Sequence, residues 1–337
     1  MTTFMYVMSF IGGAGCYVPV LAAVLWCVNP RAGAGAAVLI TISGALNVLL
    51  KITIHAPRPF WTDPSITPHE SLDSFGMPSG HAQGATVAYG LLAVLIWRRA
   101  RGAPGRRPGL VAAAAAVVLV AVIVLVGVSR VYLGVHSVGQ VLAGWLIGAT
   151  LLLAAMAFRP VVVPWWLRRS PAIQLGLGLA VALAFLVPTA AAVSQLRSWR
   201  WPTSWAQAIE AAGGSVGPIT LTDGAGVAGL LFGVLAGLSL LARRGWFEPH
   251  GTPWRRLARV PVGAGGAGMI ALGGWLIVGS TAGASGTPAA IAVFACAAGA
   301  GAWLAGGAPE AFVGLGLATR RRGEAERTRE LVRDGQA

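Results

Sequence analysis

Residues 109–140 read GLVAAAAAVVLVAVIVLVGVSRVYLGVHSVGQ. The stretch 109–128 carries no ionisable or amide side chain. It has the length of roughly 20 residues that a helix needs to cross a hydrocarbon core. Polar groups then crowd in at once: Ser129, Arg130, His136 and Gln140. Charged and imidazole groups at the end of such a run are expensive to hold there unless they are paired or functional.

Working outward, comparable apolar runs occupy 4–29, 33–50, 80–97, 137–157, 172–194, 225–242, 262–280 and 288–305. With 109–128 they predict an all-α, polytopic transmembrane helix bundle of about nine spans. A shorter apolar stretch, 308–319, contains Glu310 and reads as a continuation or an interfacial segment. Composition agrees. The 337 residues are 56% hydrophobic and only 11% charged, where soluble domains carry about a quarter charged residues.

The net charge of +14 does not imply nucleic acid, because the arginines sit in clusters between spans and leave no basic face to read a groove. They set a topology instead. With the N-terminus outside and loops alternating, Arg31, Arg98, Arg99, Arg101, Arg106, Arg107, Arg159, Arg168 and Arg169 fall inside. So do Arg243, Arg244, Arg255, Arg256, Arg259 and the arginines of the tail from Arg320 onward. Of the 25 Lys and Arg, only Lys51, Arg58, Arg130, Arg197 and Arg200 remain outside, the asymmetry expected of a correct span count. The C-terminus is then cytoplasmic, and residues 320–337 form a charged tail, helical or disordered.

Trp26, Trp61, Trp97, Trp165, Trp166, Trp199, Trp201 and Trp205 mark expected interfaces, and the 47 glycines suit close helix packing in lipid. Cys16, Cys27 and Cys296 fit neither disulfide nor zinc spacing and read as small packing residues. No Lys or Arg precedes the first apolar run, which argues against a cleaved leader.

Three segments hold the outside cations. The first is Lys51-Ile-Thr-Ile-His-Ala-Pro-Arg58-Pro59, with the chain's single lysine; a snorkelling lysine and a loop arginine would explain it equally well. The second is Met77-Pro78-Ser79-Gly80-His81, directly before an apolar run. Ser79 is a candidate N-cap, Gly80 permits close backbone approach, and the helix start offers free N–H groups to an anion. An ordinary capped helix with an interfacial His81 would explain this segment, taken alone, equally well. The third runs from Ser129-Arg130 to His136 and Gln140, the last two one helical turn apart. Three cations, two histidines and an anion-receptive helix start thus share one membrane side.

Together these segments resemble the type-2 phosphatidic acid phosphatase superfamily, which also includes vanadium haloperoxidases and glucose-6-phosphatases. Its pattern is Lys, six residues, Arg-Pro; then Pro-Ser-Gly-His; then Ser-Arg, five residues, His, three residues, Asp. Only the last position departs, where this chain has Gln140. The resemblance covers about residues 45–155. It implies that His136 attacks phosphorus to form a phosphohistidine and that His81 protonates the leaving oxygen and then serves as base. It further implies that Lys51, Arg58, Arg130, Ser79 and Gly80 hold the phosphate, with no metal and no cofactor. Gln140 can accept the Nδ1–H of the nucleophile but supplies no negative charge. Glucose-6-phosphatases and dolichyl-diphosphate phosphatases are similar in carrying Gln there, and loss of activity is the competing reading. Asp63, Glu70 and Asp73 could substitute, although solvated loop positions are the simpler expectation.

The resemblance implies a metal-independent phosphatase of a lipid phosphate or diphosphate, polyprenyl-type or phosphatidic-acid-like; the cation distribution puts its site on the non-cytoplasmic face, and the Ala-, Gly- and Arg-rich composition with one Lys suggests a bacterial cytoplasmic membrane. The alternatives are a phosphotransferase using an alcohol acceptor, or a catalytically weak protein that keeps the pocket. Haloperoxidase chemistry has no evident use for so long a membrane bundle. Residues 1–170 would be the phosphatase core and 171–319 additional membrane helices. The segment from Gln195 to Asp223 reads as an amphipathic connector or an interfacial lid, and His55, His69 and His250 as residues without a catalytic part. The oligomeric state is open.

Overall fold

The computed structural model describes residues 1–101, 108–217, 219–280 and 286–320. In chain order the helices are α1 (Thr2–Gly12), α2 (Ala14–Ala23), α3 (Pro30–Ile54), α4 (Pro59–Thr62), α5 (Gly80–Arg101), α6 (Pro108–Tyr132) and α7 (Val138–Leu167). They continue as α8 (Pro171–Gln195), α9 (Thr203–Ala211), α10 (Thr222–Arg244), α11 (Pro253–Ser280), α12 (Thr287–Ala302) and α13 (Ala308–Gly314). Wide π turns follow α2 at Val24–Val28 and α12 at Trp303–Gly307. Among the described residues there is no strand, only an isolated bridge between Phe247 and Arg320.

Six of these helices are long and apolar enough to cross a membrane, or seven if α1 and α2, bent by 48° at Gly13, make one span. Among the described residues, then, not all of the nine expected spans are found. α5 and α11 stand where the third and eighth spans were expected but are not among the six. For α5 the reason is chemical: it opens on Gly80, His81 and Gln83 and closes on Arg98, Arg99 and Arg101. The 308–319 stretch continues α12 as α13 within one apolar segment, Thr287–Gly314. Arg106, Arg107 and the tail beyond Arg320 lie outside the described residues.

The chain divides into two compact units. The first comprises Met1–Pro19, Leu46–Ala155 and Ala191–Ile219. Here α5 and α6 lie side by side, with α1 against both. Tyr89, Ala85 and Val126 form one part of the core. Glycine sets how closely α7 meets α5: a Cβ on Gly144 would lie 2.7 Å from the Ser79 carbonyl, and one on Gly148 2.8 Å from the Gln83 carbonyl. Small residues at such crossings let backbones meet in lipid. A second core gathers Phe60, Trp61, Phe75, Leu133, Val135 and Ile209. Trp61, expected at an interface, is buried there, with Trp201 at 5.6 Å and Trp205 at 5.8 Å between ring centroids. The 195–219 segment is thus tied down by its aromatic rings, and α9 packs on α4.

The second unit comprises Val20–Ala45, Met156–Ala190 and Thr220–Ala337. α10 lies along α12, where a Cβ on Gly229 would fall 2.9 Å from the Phe294 Cα. Trp26 is also buried; its indole N–H donates to the Leu304 carbonyl at 3.1 Å. Arg259, expected as a loop cation, is fully buried. Its guanidinium donates to the carbonyls of Trp26, Pro249, His250 and Leu317, and so satisfies backbone acceptors from three segments. The three cysteines are free and partly buried.

Candidate active site

The polar segments singled out in the sequence meet within the first unit. α3 ends just past Lys51, whose ammonium donates to the Phe75 carbonyl. Pro59 at the first position of α4 ends the preceding extended stretch and leaves Arg58 as its N-cap, with φ −82° and ψ 155°. Ser79 precedes α5, and its hydroxyl accepts the Ala82 N–H at 3.4 Å, the capping expected of it. The Ser79 N–H donates to the Gln140 carbonyl at 3.0 Å, which joins the start of α5 to the start of α7. Asn47, one turn before Lys51, donates to Gln83 Oε1 at 2.9 Å and to the Pro78 carbonyl at 3.4 Å. A Cβ on Gly80 would meet Asn47 Oδ1 at 3.1 Å.

His136 lies in the turn between α6 and α7 and is 3% exposed. Its Nδ1 is 3.0 Å from Gln140 Oε1. That oxygen also accepts the Ser137 N–H at 3.2 Å, while Gln140 Nε2 donates to the Pro57 carbonyl at 2.8 Å. The amide therefore has one orientation that satisfies all three bonds, and it makes Nδ1 the protonated nitrogen of the ring. Nε2 keeps its lone pair, which accepts Arg58 Nη1–H at 3.2 Å. Burial first, then the positive charges of Arg58, Lys51 and Arg130, hold the imidazole well below the usual histidine range. The Gln140 hydrogen bond acts in the opposite sense. A neutral His136 whose Nε2 lone pair is released by Arg58 is the form able to act as a nucleophile.

Gly76 makes this amide placement possible. A Cβ there would lie 2.5 Å from Gln140 Nε2 and 2.8 Å from Oε1. Its N–H donates to the Ala56 carbonyl at 2.8 Å, so the chain cannot easily retreat.

Arg58 is held from several sides: Nε donates to the Ser74 carbonyl at 2.7 Å, Nη2 to Ser74 Oγ at 3.0 Å and Nη1 to the Val135 carbonyl at 2.9 Å. Arg130 is fully buried. Its Nη1 pairs with Glu70 Oε2 at 2.9 Å and donates to Ser9 Oγ. Glu70 is therefore not the solvated loop residue expected of it; it is the ion-pair partner of Arg130. Asp63 does match that expectation, bonding Ser65 in an exposed turn. His81 lies in the first turn of α5, within electrostatic reach of Arg130, Arg58 and Lys51. A Cβ on Gly13 would lie 3.5 Å from its Nε2. His55 and His69 stand apart, on Phe75 and Tyr132 respectively.

A buried imidazole with an available lone pair, a second histidine and three cations make a receptor for a tetrahedral anion. Residues 32–164 match the PAP2 superfamily, and residues 225–320 match the PAP2 superfamily phosphatase transmembrane extension. The chain thus carries a PAP2 superfamily domain and a PAP2 transmembrane extension, and it is a multi-pass membrane protein. It is similar to phosphatidylglycerophosphatase B of Bacillus subtilis (strain 168), 37% identical over 115 residues that cover 34% of this chain and 51% of the relative. The chain thus spans about half the length of that relative. A crystal structure described as the first transmembrane PAP2 type phosphatidylglycerolphosphate phosphatase from Bacillus subtilis aligns with a TM-score of 0.40 at 26% identity. It covers 47% of this chain and 76% of that one.

Proposed function

We propose that the chain is a phosphatase of membrane lipid phosphates or diphosphates that works through a phosphohistidine on His136. The observation that carries this reading is the fixed tautomer: Gln140 holds Nδ1–H and leaves Nε2 as the basic nitrogen of the His136 ring, facing Arg58. In the first step Nε2 forms a bond to phosphorus as the bond to the leaving oxygen breaks, and His81 gives that oxygen its proton. In the second step water attacks phosphorus, His81 takes a proton from it, and the Nε2–P bond breaks to release phosphate and neutral His136. Arg58 passes its Nη1–H from Nε2 to an equatorial oxygen as attack proceeds. Arg130, Lys51, the Ser79 hydroxyl and the Gly80 N–H take the other oxygens. Phosphoryl transfer needs this positioning and charge more than covalent assistance, and three cations supply it without a metal ion.

Polyprenyl-type and phosphatidic-acid-like lipids fit a site built on apolar helices, and the similarity to a phosphatidylglycerophosphatase favours the same class. The distribution of Lys and Arg favours a site on the non-cytoplasmic face of the cytoplasmic membrane, an outside N-terminus and a cytoplasmic C-terminus. Residues 1–170 would carry the chemistry, and 171–319 would add membrane helices. The test is phosphate release by the full chain in detergent with chelator present, on a panel of polyprenyl diphosphate, phosphatidic acid, phosphatidylglycerophosphate and glucose 6-phosphate. Turnover of the lipids but not of the sugar, abolished in His136→Ala, is the expected result. Full activity in His136→Ala ends the proposal.

A further inference from the structure

Arg130 is fully buried, yet its Nε and Nη2 have no hydrogen-bond partner among the described residues. Unsatisfied buried donors are rare in folded proteins, and charged ones are the most costly. These two nitrogens share one edge of the guanidinium plane, the edge that binds two oxygens of a phosphate side by side. The third nitrogen is occupied on the opposite side. Nη1 donates to Ser9 Oγ and to Glu70, at 2.9 Å to Oε2 and 3.2 Å to Oε1, while the Ser9 hydroxyl donates to Glu70 Oε1 at 3.3 Å. Ser9 sits on α1 and Glu70 in the loop before α5. Two elements remote in sequence therefore grip the same end of one side chain.

We infer that Glu70 and Ser9 are positioning residues: they clamp Nη1 and so turn the Nε–Nη2 edge of Arg130 toward the phosphate. The inference rests on the phosphatase reading and deepens it. A carboxylate in this place is well suited to the task. It stabilises the guanidinium in a buried setting while the open edge stays vacant for the ligand, and the Ser9 hydroxyl fixes the carboxylate in turn. The clamp works before substrate arrives, so the fork needs no reorganisation when charge develops on the equatorial oxygens.

The probe is inorganic orthovanadate, bound to the full chain in detergent and measured by calorimetry, alongside kcat and KM on a lipid phosphate. Glu70→Ala weakens orthovanadate binding about tenfold, as loss of one aligned charge-assisted bond does, and lowers kcat by more than it changes KM. Ser9→Ala gives a smaller loss in the same direction, and Glu70→Gln, which keeps an acceptor oxygen, restores part of the binding. In an Arg130→Lys background, which has no planar fork to aim, adding Glu70→Ala changes binding less than about twofold. Three results overturn the inference: tighter orthovanadate binding in Glu70→Ala, which would make Glu70 a competitor for the anion; binding unchanged within twofold; or an equal loss in the Arg130→Lys background. If Glu70→Ala does not fold, Glu70→Gln is judged by the same criteria. Calorimetry needs no turnover, so failure of the clamp is separable from failure of the hydrolase reading.

Discussion

Gln140→Leu removes the acceptor of His136 Nδ1–H at 3.0 Å and of Ser137 N–H at 3.2 Å, and the donor to the Pro57 carbonyl at 2.8 Å. With His136 neutral, the first of these bonds contributes about 1 kcal/mol. Once Nε2 carries the phosphoryl group the ring becomes cationic, and the same bond becomes charge-assisted, worth about 1.5–3 kcal/mol. The difference falls on the transition state. Together with the freed tautomer it lowers kcat about 10- to 100-fold, while KM moves less than about threefold. Steady-state phosphate release measures both. Gln140→Glu adds the converse test. His136 is held below the ordinary range of about 6.5 by burial and by three cations, and its neutral form is the nucleophile. The acid limb of kcat/KM, where the rate is lost on protonation, therefore lies below pH 6.5 in the native protein. A carboxylate at position 140 raises the proton affinity of the ring, so the limb moves to higher pH on the same substrate. A native acid limb above 6.5, a limb that moves downward in Gln140→Glu, or a kcat within twofold of native in Gln140→Leu would refute the reasoning.

Arg58→Lys keeps the charge but loses the simultaneous bonds to the Ser74 carbonyl, Ser74 Oγ and the Val135 carbonyl; kcat should fall at least about 100-fold as one preorganised donor array is lost, read by the same assay. Gly144→Leu forces side-chain atoms where even a Cβ would lie 2.7 Å from the Ser79 carbonyl. Overpacking of about 1–3 kcal/mol should lower the detergent melting temperature and separate the starts of α5 and α7, with activity falling in parallel. Gly76→Ala should spare the melting temperature more than Gly144→Leu does but depress kcat, because its Cβ strikes the amide that orients His136.

The residues legible in the sequence were those whose spacing is itself chemistry. His136 and Gln140 are one helical turn apart, so their hydrogen bond follows from helix geometry. Ser79 before an apolar run signals a cap, and α3, α6, α7, α8, α10 and α12 follow from uninterrupted apolar length. What pattern cannot reveal is long-range pairing. Ser9 meets Arg130 across 121 positions, Asn47 meets Gln83 across 36, and Glu70 sits in a loop with no periodicity to read. Residue type places Trp26, Trp61 and Arg259 at interfaces and in loops but does not reveal that they are buried, where the rings pack on other rings and the guanidinium bonds carbonyls. α5, one of the nine expected spans, falls outside the six because His81 and Gln83 open it and three arginines close it.

Nucleophilic attack by His136 is tested most directly by trapping the intermediate. Brief exposure of the native protein to a lipid phosphate, followed by rapid alkaline quench and peptide mass spectrometry, should find one acid-labile phosphoryl group on the peptide bearing His136. The same peptide should be unmodified in His136→Ala. Turnover of the lipid phosphate with no label on His136, or a label on any other residue, would contradict that assignment.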